Sequence, residues 1–143
     1  MNVGIVGFGS IGTEVAKALI EGVENFYLYG ITSRSKTNAE KRISKLKKSI
    51  KIFDLETLIN NCQIIIDCAP KEAFRDIATR CINEGKTLIT VSGSGILDNF
   101  DLIETSKKNK SQIILATGAI LGLDALRAAA ESKIHSVKMT TRK

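Results

Sequence analysis

The residues best suited to chemistry stand near the start of the chain, where "GFGSIG" sets Gly7, Gly9 and Gly12 in the spacing GxGxxG. At a turn from strand to helix each glycine has its own task. Gly7 permits the tight turn, Gly9 lets backbone approach a pyrophosphate, and Gly12 lets the helix pack closely on the strand. Backbone amides near Ser10 and Ile11, unpaired because they open a helix, add donors at its positive end. This is chemistry for holding phosphates, not for breaking a bond. A glycine-rich turn with no ligand has the same spacing, so the surrounding elements decide between the two.

A second set lies where the next strand ends, in "ITSRS" at 31–35. A carboxylate there accepts the adenosine ribose hydroxyls of NAD. None is present. Ser33 and Arg34 stand instead, and Arg34 suits a 2′-phosphate held by two guanidinium N–H groups, with its plane along the adenine. An exposed loop arginine is the competing account. The cofactor expected is NADP or NAD, with the lean toward NADP. Further along, "IIIDCAP" closes at Ala69 and Pro70, "VSGSG" places Ser92 and Ser94 after the following strand, and "TGAILG" repeats that arrangement after the next. Small residues at these strand ends leave room for a nicotinamide, although tight αβ turns alone also favour them. Asp67 is either a functional acid or, more simply, a strand-end residue satisfied by loop amides.

The elements that position these residues alternate regularly. "NVGIVGF", "FYLYGITS", "CQIIIDCAP", "KTLITVS" and "SQIILAT" are apolar strand-like runs. Helical patterns follow in "SIGTEVAKALIEG", with Ile11, Val15, Ala18 and Leu19 as its apolar stripe, and in "KEAFRDIATRCINEG", "DNFDLIETSKKN" and "LDALRAAAES". "TNAEKRISKLKKS" is a weaker helix, "IKIF" a short strand, and "DLETLIN" a short helix with Asp54 as its N-cap. Right-handed crossovers then predict an α/β fold, a Rossmann-type doubly wound parallel sheet with helices on both faces. "HSVKMTTRK" alternates as a strand, either an added edge or the first strand of a second domain. The expected boundaries are 1–132 for the dinucleotide-binding domain and 133–143 for the start of an αβ substrate domain.

Composition bounds the function. The chain has 143 residues, 43% of them hydrophobic, with a formal charge of +6. Basic residues crowd "KTNAEKRISKLKKSIK", which suits an acidic partner or a phosphate but is more simply a solvated helix face. Aromatic residues make up only 5% and no Trp is present, so no stacking platform for nucleic acid is expected. No apolar run reaches membrane-spanning length. Cys62, Cys68 and Cys81 fit neither a CxxC pair nor a zinc spacing, and read as reduced core thiols of a cytoplasmic protein. No catalytic or metal-binding cluster is assigned.

On "VGIVGFGSIG", "IDCAP" and "ATGAILGLDALRAA" running into "VKMTTRK", the sequence resembles the archaeal and bacterial L-aspartate dehydrogenases, over nearly its whole length. These belong to the homoserine-dehydrogenase-like and dihydrodipicolinate-reductase-like group. The resemblance implies oxidation of L-aspartate to iminoaspartate, or on to oxaloacetate and ammonia, with transfer to NAD or NADP, as a step toward NAD biosynthesis. It matches Gly7, Gly9, Ser10, Ile11 and Gly12 to the pyrophosphate turn, Ala69 and Pro70 to a loop beside the nicotinamide ribose, and Gly118 and Ala119 to a loop near the nicotinamide. The family's catalytic histidine lies in a second domain that these residues do not include, and His135 does not match it. The chain alone is therefore expected to be inactive toward L-aspartate. A dihydrodipicolinate-reductase-like or homoserine-dehydrogenase-like fragment and a stand-alone NAD(P)-binding regulatory protein are the alternatives. A homodimer through the "SVKMTT" strand or the helix before it is also expected, with terminal fraying as the competing outcome.

Overall fold

The structure, a computed structural model, describes residues 1–116 and 122–140. Its apolar runs become β1 (Asn2–Val6), β2 (Tyr27–Thr32), β3 (Ile64–Asp67), β4 (Thr87–Thr90) and β5 (Gln112–Leu115). The helices are α1 (Ser10–Gly22), α2 (Lys36–Ile43), α3 (Leu55–Asn61), α4 (Phe74–Asn83), α5 (Gly93–Leu97), α6 (Asp101–Lys108) and α7 (Leu123–Ala129). All strand pairs are parallel, in the order β2-β1-β3-β4-β5. The register aligns Thr32, Val6, Asp67, Thr90 and Leu115 in one row. Every strand therefore delivers its carboxyl end to the same edge, and the chain reverses direction across the sheet between β1 and β3. That point is where open parallel sheets form a crevice for ligands.

The expected strand at "IKIF" contracts to a single parallel bridge between Ile31 and Ile52. Ile31 N donates to Lys51 O at 3.0 Å and Phe53 N donates to Ile31 O at 2.8 Å. Ile50 is buried while Lys47, Lys48 and Lys51 stay in water, so the segment has too little apolar surface to pair further. This vestigial strand sits beyond β2, and with it the sheet follows the strand order of dinucleotide-binding folds. The basic run around it is exposed, the simpler of the two accounts of those charges.

Two apolar clusters cover the sheet. Leu58, Ile59, Phe74, Ile77, Ile82 and Leu102 of α3, α4 and α6 close one face. Burial of Phe74, at 0% exposure, contributes about 1.5–3 kcal/mol by itself. On the other face Ala16 and Ala39 of α1 and α2 pack on Ile5, Phe8 and Ile31. The face that α1 buries is Gly12, Thr13 and Ala16, whereas Ile11 and Ala18 of the expected stripe are exposed. Small residues win because the helix lies so close to β1 that larger ones do not fit between.

Cover is uneven on this second face. Ile31, Ile5, Ile66, Ile89 and Ile114 form one cross-strand row. The row is fully buried at Ile31 and Ile5 under α1 and α2, half-buried at Ile66 and Ile89, and 37% exposed at Ile114. α7 stays exposed at Asp124, Ala125 and 127–130, so the apolar helix lacks the cover expected for it. Residues 133–140 form neither helix nor strand, which corrects the expected strand there, and 141–143 lie outside the described residues; among the described residues β5 is the outer strand of the sheet. An isolated terminal strand has no ladder to join, and its hydrogen bonds revert to water.

Gly30 is unusual as a glycine inside a strand. A Cβ there would lie 2.5 Å from the Phe53 ring, which stacks on Tyr29 with centroids 5.1 Å apart. Gly30→Ala therefore displaces the ring that anchors the vestigial strand. Urea denaturation is expected to show a loss of about 1–3 kcal/mol, the cost of overpacking; a neutral result would mean that Phe53 moves freely.

Candidate functional site

The crevice is built first from backbone. Gly7 has φ +88°, a left-handed conformation that side chains disfavour, and its N–H donates to Thr32 O at 3.0 Å. A Cβ on Gly7 would lie 2.7 Å from both Ala69 N and the Cys68 carbonyl, so the loop after β3 rests directly on the turn. A Cβ on Gly12 would collide with the Gly7 carbonyl oxygen. Gly9 differs from both, since a Cβ there meets nothing within 4 Å. Two of the glycines thus serve packing, and the third leaves an open surface.

That open surface adjoins the start of α1. Gly9 is the N-cap and has no side chain to satisfy the first amides, and the first turn carries no acidic residue. Gly9 O is occupied, accepting from Thr13 N at 3.0 Å and Thr13 Oγ1 at 2.7 Å, which fixes the turn. Ser10 and Ile11 are exposed beside it, Ile11 at 53%. Uncapped amides, a positive helix end and an uncovered glycine suit an anion held by backbone.

A pocket of about 150 Å³ joins the end of β2 to the loop after β3. Thr32, Ser33 and Arg34 face Ala69 and Pro70 across it, with Asp76 on the rim. Four of the residues singled out in the sequence are thereby brought together. Asp76 pairs with Arg80 at 2.9 Å, a contact between exposed groups that partly neutralises the one carboxylate among the residues lining the pocket. Ser35 adds the N-cap of α2, accepting from Asn38 N at 3.3 Å. A larger hollow of about 320 Å³ beside Tyr27 and Phe53 lies at the other end of β2, away from the glycine turn.

The crevice wall beyond β3 is polar and buried. Asp67, 1% exposed, accepts from Ala69 N at 3.0 Å and from Thr90 Oγ1 at 2.7 Å. Burial pushes its carboxyl above the usual carboxylate range, and the two hydrogen bonds oppose that shift. Thr90 Oγ1 accepts from Ser92 N at 3.0 Å, and Ser92 Oγ accepts from Gly95 N at 3.2 Å. "VSGSG", read as a loop, thus turns into the short α5 with Ser92 as its N-cap. Ser92 is 8% exposed and faces inward. Thr90 escaped sequence reading. Its signal was a polar residue closing an apolar strand, matched to Asp67 closing the strand beside it.

Three thiols contribute no nucleophile. Burial raises Cys62 and Cys68 to about 11 and Cys81 to about 12, so none is a thiolate at neutral pH. His135 is exposed and belongs to no element. Gly118 and Ala119 lie outside the described residues.

Residues 7–116 match the family described as "Homoserine dehydrogenase, NAD binding domain", and the chain belongs to that family. Among curated proteins it is similar to the L-aspartate dehydrogenase of Bradyrhizobium diazoefficiens, 38% identical over 143 residues, covering 100% of this chain and 51% of that protein. It is 34% identical over 145 residues to the L-aspartate dehydrogenase of Methanocella arvoryzae, covering 99% of this chain and 53% of that one. The chain spans about half the length of these relatives. A solved dehydrogenase from Clostridium difficile shares the fold, with a TM-score of 0.68 and 24% identity over 81% of this chain and 39% of that one.

The open glycine and the packed ones give opposite outcomes on substitution. Gly9→Val is expected to leave thermal stability near that of the parent and to abolish NAD(P)H binding, because its side chain fills the open surface beside the uncapped amides. Gly12→Ala is expected to destabilise the fold by about 1–3 kcal/mol, since helix and turn must separate. Calorimetry of unfolding and of cofactor binding on both variants checks this, and tight binding by Gly9→Val would contradict it.

Proposed function

We propose that this chain forms the dinucleotide-binding part of an L-aspartate-dehydrogenase-like oxidoreductase, residues 1–132, with 133–143 leading into a substrate domain. The observation that carries the proposal is the open, uncapped Gly9–α1 junction at the carboxyl edge of the sheet, the same edge that holds the pocket at Arg34. Similarity to two L-aspartate dehydrogenases supports the choice of reaction.

In this proposal the amides of Ser10, Ile11 and Gly12 hold the pyrophosphate. Ser33 and Arg34 take the ribose and 2′-phosphate at the far end of the pocket. Ala69 and Pro70 form its facing wall, and their backbone, seated on Gly7, sets the width of the crevice toward the nicotinamide ribose. The family resemblance adds Gly118 and Ala119 as residues near the nicotinamide. Bound there, NAD or NADP supplies a two-electron acceptor for oxidising the substrate amine carbon. The chain's own residues bind and orient. A group that takes a proton from the amine, and a cationic site for two carboxylates, belong to the substrate domain in this proposal. Three protonated, unpaired thiols fit a reducing cytoplasm.

Arg34 decides the cofactor preference. The isolated protein is expected to bind NADPH at least as tightly as NADH, and Arg34→Ala to weaken NADPH by about tenfold with little effect on NADH. Titration calorimetry with both cofactors measures this. A preference for NADH that survives Arg34→Ala would overturn the 2′-phosphate assignment.

The half-covered isoleucine row also bears on partners. Leu115 of the same outer strand is exposed at 46%. Apolar surface beside an unpaired strand edge favours association, so we further propose that the isolated chain forms a two-fold dimer through the β5 side of the sheet. Light scattering at about 100 μM is expected to give a dimer that Ile114→Lys dissociates. A monomeric parent at that concentration would rule the dimer out.

A further inference from the structure

We propose that Asp67, Thr90 and Ser92 act as a positioning relay that locks the two loops flanking the crevice into one unit, so that dinucleotide affinity depends on the Thr90 hydroxyl. This rests on the dinucleotide function proposed above. The relay begins at Ala69 N, the atom against which Gly7 packs. That amide donates to Asp67 Oδ1 at 3.0 Å, and Thr90 Oγ1 donates to Asp67 Oδ2 at 2.7 Å. The same hydroxyl oxygen accepts from Ser92 N at 3.0 Å, and Ser92 Oγ accepts from Gly95 N at 3.2 Å. Asn99 Nδ2 then donates to Gly95 O at 2.8 Å. One side chain on β3 and one on β4 therefore connect the turn at Ala69 to the first turn of α5.

Each joint in this chain has a fixed direction. Asp67 is an acceptor at both oxygens, which obliges Thr90 to donate to it and frees the Thr90 lone pairs for Ser92 N. Valine has the shape of threonine but can do neither, and it leaves a buried carboxylate oxygen and a buried amide without partners. Asp67, Thr90 and Ser92 are exposed by 1%, 0% and 8%, so water cannot substitute. No described buried side-chain polar atom lacks a partner in the intact protein. A buried carboxylate is a costly way to close a strand. What it adds here is a side-chain link between Ala69 and Ser92 at neighbouring strand ends on the carboxyl edge, beside the backbone bond from Val91 N to Asp67 O at 3.2 Å. Ser92 then serves the cofactor through its position, with its hydroxyl oxygen committed to Gly95.

The experiment compares Thr90→Val and Thr90→Ser in the full chain by two readouts. The first is amide hydrogen exchange without cofactor. Exchange at Ala69, Ser92 and Gly95 is expected to accelerate together in Thr90→Val and to return toward the parent rate in Thr90→Ser. The second is NADPH affinity by calorimetry, expected to fall about tenfold in Thr90→Val and to stay within about twofold in Thr90→Ser. Should Thr90→Val fail to fold, Thr90→Ala, which removes the hydroxyl and adds no bulk, carries the same expectations. Unchanged exchange at the three amides overturns the relay, as does unchanged affinity in a variant with accelerated exchange. If the parent chain binds no NADPH, the dinucleotide assignment falls, and the exchange data still judge whether the loops are coupled.

Discussion

The structure turns on a contact made without side chains. Gly12 meets the Gly7 carbonyl, and Gly7 meets the backbone of Cys68 and Ala69. Helix α1, strand β1 and the loop after β3 therefore converge at van der Waals distance, and a single methyl at either glycine separates them. Much of the rest follows from this closeness. α1 must present Gly12, Thr13 and Ala16 to the sheet because nothing larger fits. Its first amides are brought to the crevice floor, and the loop bearing Ala69 and Pro70 becomes the crevice wall. Apolar burial stabilises the sheet, but it is non-directional. Backbone contact at the glycines supplies the geometry.

Charge placement agrees with that geometry. The positive end of α1 faces the crevice with no acidic residue in its first turn, and Arg34 stands at the far side of the adjoining pocket. The start of α1 follows β1 and Arg34 follows β2, and these strands are neighbours about 5 Å apart. Lysines of the basic run spread instead over exposed surface around α2 and the vestigial strand. Their charge supports solubility and general attraction of anions, whereas the directional donors are few and local.

Much of the sheet was legible in sequence because its signals are local. The five longer apolar runs became strands, and Asp54 caps α3 as its position suggests, accepting from Thr57 N at 2.7 Å. Gly7, Gly9 and Gly12 were legible as a turn, although spacing alone could not separate the packed glycines from the open one. That distinction depends on neighbours distant in sequence. Ala69 and Pro70 were placed in a loop, yet their position opposite Ser33 and Arg34 follows from the crossover that sets β3 beside β1. Thr90 was missed for the same reason: its partner is 23 residues away, and only the register Asp67↔Thr90 makes them neighbours. The end of the chain misled because alternation predicts a strand only where another strand is available to pair with it.

The two sides of the crevice are held by different physics, and the difference matters for how each can respond to a ligand. On the β1 side, glycine backbone packs on backbone, a contact with no rotamers to change and little room to yield. On the β4 side, position is set by hydrogen bonds through Asp67, Thr90 and Ser92, which can lengthen by tenths of an ångström before they break. Packing there is also looser, since Ile89 and Ile114 lack the helical cover given to Ile5 and Ile31. Local stability follows burial, so the sheet should stiffen from β5 toward β1. A rigid glycine floor beside a more adjustable wall would, in the proposed function, suit a bound molecule whose one end is fixed by charge while its other end meets a second reactant.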